Sequence, residues 1–129
     1  MVLNLTRNTV VAHEVRVAQN FVERMRGLIG SKPLTEGEGF FIPLCQGIHT
    51  LGMGYPIDVL YLDGEGRIIV AFKDMVPNRL GSVSFKTQSV LELPQGAINR
   101  SRSRVGDLID LGHRAEPVRP PWKVGLLLA

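Results

Sequence analysis

Three residues that could carry chemistry lie at equal spacing near the middle of the chain. Cys45, His49 and Met53 are each four residues apart. A spacing of four is even, so a strand would place all three side chains on one face, and a helix would roughly align them too. Thiolate, imidazole and thioether groups are ligands of soft metals, so the three are candidate ligands of a copper-like site. The spacing marks residues 45–58 as the candidate functional segment.

The same segment could bind copper, act in catalysis or simply pack in the core. A copper site of this type needs a second histidine, which only His13 or His113 could supply, and its loop usually lies near the C-terminus. A cysteine- or histidine-dependent enzyme would use Cys45, His49 and Asp58 as its catalytic residues. Thiol reactivity separates these readings, because a catalytic Cys45 has a lowered pKa whereas a packed cysteine is inert.

Asp58 raises the sharpest question in the segment. On a strand it shares a face with Leu60 and Leu62, where a lone carboxylate must be hydrogen-bonded or paired. In a structural interpretation it accepts bonds from backbone N–H groups in the Gly-rich bend at Gly52 and Gly54, or pairs with an arginine. In a functional one it holds His49 in one tautomer or binds ligand. Glu92, in another apolar run, raises the same question more weakly.

We interpret the segment as a binding pocket for a small molecule or a partner. Its ligand-binding residues would be His49, Thr50, Met53 and Asp58, with Cys45 beside them, since polar and apolar groups mix in this way around ligand pockets. The cysteine- or histidine-dependent enzyme and the soft-metal site remain the alternatives. We expect no cofactor and no tightly bound copper or zinc, because a second histidine at convincing spacing is lacking.

The residues around the segment predict an α+β, β-rich fold, as a small sandwich or barrel-like sheet. Asn20, with Glu23 three residues later, has the pattern of a capping box that begins an amphipathic helix over about residues 20–29. A two-strand hairpin with an Asp-Gly-Glu-Gly turn is the clearest β signal. The predicted strands are 9–12, 15–18, 57–62, 67–72, 90–93 and 108–111, with a buried stretch at 40–42 and a short helical turn at 97–104.

Length and composition predict one ordinary globular domain. The chain has 129 residues, of which 44% are hydrophobic and 21% charged, with a net charge of +3. Its single cysteine excludes an internal disulfide. No window approaches the ~20 apolar residues of a membrane span, and the start lacks a signal-peptide pattern, so we expect a cytoplasmic protein without membrane contact. The basic run at 99–104 lacks aromatic residues, which makes nucleic-acid binding an unfavoured interpretation.

The last seventeen residues form a separate segment. We place the domain at residues 1–112 and a proline-rich tail at 113–129. Pro117, Pro120 and Pro121 suit a stiff connector, and the uncharged end of the tail is too apolar to remain in water. We expect the tail to dock, either as an edge strand on its own sheet or on a second subunit. The second arrangement would make the protein a homodimer.

Several motifs in a fixed order resemble the family known as domain of unknown function 192, found in bacteria and archaea. The resemblance covers roughly residues 10–112, and it implies a compact β-rich fold, here of bacterial origin. It brings no reaction, because the family has no established one, and many members carry a secretion signal that this chain lacks. The motifs are ERMRGLIG (23–30), GFF (39–41), CQGIHTLGMGYPIDVLYLDGEGRII (45–69), VLELPQG (90–96) and GD (106–107). The family's histidine, methionine and Pro-Ile-Asp run match His49, Met53, Pro56, Ile57 and Asp58.

Overall fold

Eight strands and one short helix make up the described fold. The structure, a computed structural model, describes residues 1–20, 22–23, 27–28, 30, 32–50, 53–79, 81 and 83–112. The strands are β1 (Val2–Asn4), β2 (Thr9–Ala12), β3 (Glu14–Val17), β4 (Glu38–Pro43), β5 (Ile57–Leu62), β6 (Ile68–Met75), β7 (Ser89–Pro94) and β8 (Ile109–Asp110), and the helix is α1 (Ala97–Ser101).

The strands form two sheets. A five-stranded sheet has the order β3-β4-β7-β5-β6, and a three-stranded sheet has the order β2-β1-β8. All strand pairs are antiparallel except β3 and β4, which run parallel. Parallel strands need a long crossover, and residues 18–37 provide it. Strand β3 therefore lies at the edge of the larger sheet, where β4 is its one strand partner in the described part of the chain.

The central strands β4, β7 and β5 of the five-stranded sheet are buried on both faces. Every residue of β5 is buried, so its side chains point alternately into two apolar layers. The helix layer lies between the sheet and the three-stranded sheet with α1, and includes Val2, Phe41, Leu60, Leu62, Leu91, Leu93 and Ile98. The loop layer lies on the opposite face, and includes Leu28, Phe40, Cys45, Ile48, Met53, Val59, Tyr61 and Val90.

This architecture confirms the expected α+β, β-rich fold, as a sandwich of open sheets rather than a barrel. The predicted strands are found, with β6 extending beyond the predicted end to Met75. Strand β1 was not predicted, because its Asn4 interrupts the apolar pattern. That side chain is fully buried, and its amide donates to Ser103 and Asp107 at 3.0 Å each.

The start of the predicted helix at residues 20–29 has the expected cap. The Asn20 side-chain oxygen accepts the Glu23 amide at 2.9 Å, and the Glu23 carboxylate accepts the Gln19 amide. The Gly27 amide donates to the Glu23 carbonyl at 2.9 Å, which is the spacing of an α-helical bond. Val22 and Glu23 are helical and Gly27 and Leu28 lie in a turn, whereas residues 21, 24–26 and 29 lie outside the described residues.

Asp58 joins three elements through its carboxylate. One oxygen accepts the backbone amide of Ile98 in the first turn of α1, and the other accepts the amide of Asp74 in β6, both at 2.9 Å. Gly96 occupies the N-cap position of α1 and has no side chain, so Asp58 supplies the missing acceptor from β5. Asp58 therefore accepts backbone amides, as the structural interpretation expects, but from Ile98 and Asp74 rather than from the Gly-rich bend.

Asp58→Ala should destabilise the protein much more than Glu65→Ala. The first change strands two amides, one of them in the buried interior, at a cost of about 1–3 kcal/mol for an unsatisfied group. Glu65 is exposed in the β5–β6 turn, where a substitution changes stability by under about 0.5 kcal/mol. Urea denaturation gives both unfolding free energies, and equal values would contradict the capping role.

Candidate functional site

Cys45 and Met53 pack in the loop layer. Cys45 is fully buried, and its thiol donates to the Gly47 carbonyl at 2.9 Å. Met53 is also buried and belongs to the same apolar cluster. Both residues therefore fill the core in this structure, as free cysteine and methionine commonly do.

Thr50 forms hydrogen bonds between the candidate segment, residues 45–58, and the loop that follows β6. Its hydroxyl donates to the Val76 carbonyl at 2.7 Å and accepts the Arg79 amide at 2.8 Å, and its own amide donates to the Arg79 carbonyl. The neighbouring His49 is half-buried, and its Nδ1 atom has no hydrogen-bond partner among the described residues. Thr50 thus has a structural role, whereas the buried Nδ1 atom of His49 has no such role in this part of the chain.

The structure does not gather the predicted pocket residues around one cavity. Asp58 points into the helix layer, whereas Cys45 and Met53 lie in the loop layer on the other face of the sheet. The four-residue spacing is uninformative here, because residues 45–50 follow an irregular path rather than a helix or strand. Three surface grooves in the described part of the chain are lined by other residues.

Within the described part of the chain, the structure does not bring together the ligands that the soft-metal alternative requires. Among the described residues, no group of three or more histidine, cysteine, aspartate or glutamate side chains is placed to hold a metal ion. His13 is exposed and directly precedes β3, where it lines a surface groove. The Cys45 thiol is buried in the loop layer. His113, the other candidate second histidine, lies outside the described residues.

Glu92 is a buried carboxylic acid whose importance the sequence analysis underestimated. It is buried in the middle of β7, between Phe40 of β4 and Val59 of β5, so it points into the loop layer. Its Oε2 atom has no hydrogen-bond partner among the described residues. Burial raises the pKa of Glu92 to about 8. The signal in the sequence was one carboxylate within an otherwise apolar strand.

Tyr61 lies close to Glu92 in the same layer. Its hydroxyl oxygen accepts the buried Ile48 amide at 3.1 Å, which ties β5 to the covering segment. Burial is the main cause that raises the pKa of Tyr61 to about 12, against the lowering effect of the Ile48 bond, and Cys45 and Glu92 raise it further. Tyr61 and Glu92 are therefore two buried acids whose pKa values are both raised.

One of the three grooves runs along the edge of β3 that faces away from β4. It has a volume of about 1110 Å³ and combines the β3 edge with the start of the chain, the loop before β4 and the end of β8. Its lining is Met1, Val2, His13, Glu14, Val15, Arg16, Val17, Lys32, Pro33, Leu34, Thr35, Glu38, Gly39, Leu111 and Gly112. Sequence reasoning missed this groove, because its walls come from four separate regions of the chain.

The backbone of β3 presents hydrogen-bonding groups to this groove. The amides of Glu14 and Ala18 donate towards β4, to the carbonyls of Gly37 and Phe41 at 3.0 and 2.9 Å. Because successive strand amides alternate in direction, the amides of Val15 and Val17 point away from β4. The groove thus combines apolar and charged walls with a strand edge that has no strand partner among the described residues, and the Gln19 side-chain amide donates to the Val17 carbonyl at 3.1 Å.

The basic run at 99–104 is partly engaged in the fold. Arg100 forms an ion pair with Glu36 at 3.5 Å, and the Arg104 amide donates to the Asp107 carboxylate at 3.0 Å. Although burial opposes it, hydrogen bonds from Arg7, Asn4 and the Arg104 amide lower the pKa of Asp107. These contacts give the run a structural role at the end of α1.

Comparison with known proteins identifies relatives along nearly the whole chain. A model of the DUF192 family, an uncharacterized ACR, matches residues 2–111. The UPF0127 protein of Thermococcus sibiricus is 31% identical over 85% of this chain and 73% of its own length. The UPF0127 protein of Thermococcus kodakarensis is 31% identical over 98% of this chain and 87% of its own. Both are archaeal, which conflicts with the bacterial origin expected above.

A solved structure has a similar fold. The crystal structure of a protein of unknown function from Novosphingobium aromaticivorans has a TM-score of 0.65 at 20% identity, covering 74% of this chain and 73% of that one. At this identity the likeness concerns the fold alone. Within the described residues, no helix has both the length and the apolar character required to cross a membrane.

The protein should lose stability as the pH rises from about 4.5 to about 8, and Glu92 should cause the loss. Folded Glu92 keeps its proton through this window while the unfolded chain releases it, so the folded state binds more protons there. The slope should approach about 1.4 kcal/mol per pH unit and vanish outside the window. Unfolding free energies from urea titrations across the window measure it.

Glu92→Gln should remove this slope, because glutamine has no proton to release. Glu65→Gln, in the exposed turn between β5 and β6, is the matched control and should keep it. Parallel stability curves for the wild type and Glu92→Gln would show that Glu92 is not the titrating group.

Proposed function

The chain belongs to the DUF192 family, and from this membership and the geometry of the β3 groove we propose that it is a binding module for an extended polypeptide segment. The segment would add to the open edge of β3 as an extra strand. The observation that carries the proposal is a strand edge that has no strand partner among the described residues and has a large groove beside it. This is the partner-binding form of the function expected from the sequence, at a different site.

Strand addition supplies the affinity that such a site needs. An incoming segment would pair its backbone with the outward amides of Val15 and Val17 and with the outward carbonyl of Val15. Alternate side chains of that segment would then face the apolar part of the groove, near Val2, Leu34 and Leu111. Main-chain bonds give affinity in this mode of recognition, and the side-chain contacts give selectivity.

The size and shape of the groove favour a polypeptide over a small molecule. Pockets for small ligands measure about 300–1,000 Å³ and enclose most of the ligand. The β3 groove exceeds this range and extends from the chain start to the loop before β4. Its lining carries both signs of charge, since it includes Glu14 and Glu38 as well as Arg16 and Lys32. An elongated ligand with mixed polar and apolar groups fits these features best.

The enzyme alternative has less support from the geometry. The Cys45 thiol donates to a carbonyl within the core, and both oxygens of Asp58 accept backbone amides. The Cys45 thiol is buried in the loop layer and Asp58 bonds into the helix layer on the other face of the sheet, so the two are not placed to act on one histidine. Binding at the β3 groove accounts for more of the structure.

Selection from a phage-displayed library of random decapeptides tests the proposal. We expect the full-length protein to select binding peptides, and Val15→Pro to weaken their binding at least about tenfold. Proline removes one outward amide, and a lost main-chain bond of about 1.4 kcal/mol corresponds to that factor. Isothermal calorimetry with a selected peptide measures the affinities.

Val15→Ala is the matched control for this substitution. It removes a similar part of the Val15 side chain but keeps the amide, so it should bind the peptide nearly as well as the wild type. Proline is tolerated at a strand edge where the amide faces outward, and urea midpoints of both variants check that they fold. Equal peptide affinities for Val15→Pro and Val15→Ala would contradict binding by strand addition.

A further inference from the structure

We propose that the chain carries its own ligand for the β3 groove, namely the C-terminal segment 122–129. This inference rests on the proposed function, because it assigns an internal competitor to the same site. The segment would pair with β3 and be displaced by a partner polypeptide. The affinity of the module for partners would then depend on how firmly its own tail is bound.

The described chain ends inside the groove. Leu111 and Gly112 are part of its lining, next to Met1 and Val2. Gly112 has a φ of 70°, a left-handed conformation that favours glycine, and its amide donates to the Asp110 side chain at 2.9 Å. The chain therefore turns at the groove wall, and the seventeen residues that follow start beside β3.

The tail is long enough to reach the whole β3 edge. Residues 114–121 contain three prolines, and an extended polyproline conformation rises about 3.1 Å per residue, which gives about 25 Å. The four residues of β3 span about 13 Å at about 3.3 Å each. The connector can thus pass along β3 and return residues 122–129 to its edge without a second subunit.

The composition of the tail suits the groove. In a strand, Val124, Leu126 and Leu128 share one face, because side chains alternate in direction. That face would cover the partly buried Val15 and the apolar wall at Leu34 and Leu111. An uncharged run of this kind would otherwise expose a contiguous apolar patch to water.

The fluorescence of Trp122 tests this inference in the full-length chain. Trp122 is the one tryptophan of the sequence, so its emission reports the tail alone. We expect emission at shorter wavelength, and less quenching by acrylamide, than in a synthetic peptide of residues 117–129. Val15→Pro should shift the emission towards that of the peptide, whereas Val15→Ala should not. Emission identical to the free peptide would overturn the inference.

A tail variant separates this inference from the proposed function. The double substitution Leu126→Ser and Leu128→Ser should raise the affinity for a library-selected decapeptide more than about tenfold, because a tethered competitor acts at millimolar effective concentration. An unchanged affinity with exposed Trp122 would overturn the tail assignment and leave the proposed function intact. Failure to select any peptide with either chain would overturn the proposed function instead.

Sedimentation decides which copy supplies the tail. A short-wavelength Trp122 emission that persists on dilution, in a chain that sediments as a monomer, supports docking within one chain. Emission that shifts on dilution together with dissociation of a dimer would overturn that assignment and make a second copy the occupant.

Discussion

Burial of the central strands of the five-stranded sheet on both faces is the constraint on which the rest of the structure depends. Strand β5 has no solvent-facing residue, so each of its side chains must be satisfied within one of two layers. The helix layer requires the three-stranded sheet and α1, and the loop layer requires the irregular segment after β4. Two polar groups of β5 bond to these covering elements. The Asp58 carboxylate accepts an amide of α1, and the Tyr61 hydroxyl accepts an amide of the irregular segment after β4.

The two buried acids of the sheet show different responses to this constraint. Asp58 remains an acceptor, because two backbone amides replace the water that it loses. Glu92 faces apolar residues and has an unpartnered oxygen among the described residues, so it holds its proton to about pH 8 instead. Both acids lie in apolar strands, and the elements that pack against each strand determine whether the acid finds hydrogen-bond donors.

Local patterns were sufficient to predict much of the fold but little of the candidate site. Alternation and turn residues located the β5–β6 hairpin, and face parity identified Asp58 as a buried acceptor. Spacing failed at Cys45, His49 and Met53, because parity applies only to regular strands and helices. The β3 groove depends on contacts between the chain start, β3, the loop before β4 and β8, and no local pattern records such contacts.

The functional account depends on one geometrical fact, the outward direction of the amides of Val15 and Val17. Amide hydrogen exchange in the full-length protein, with a saturating library-selected decapeptide, reports on these two positions directly. The amides of Glu14 and Ala18, already bonded towards β4, are internal references for a protected strand. The account predicts that Val15 and Val17 exchange as slowly as these references in the complex. Exchange of Val15 and Val17 at the rate of free amides while the peptide is bound would contradict it.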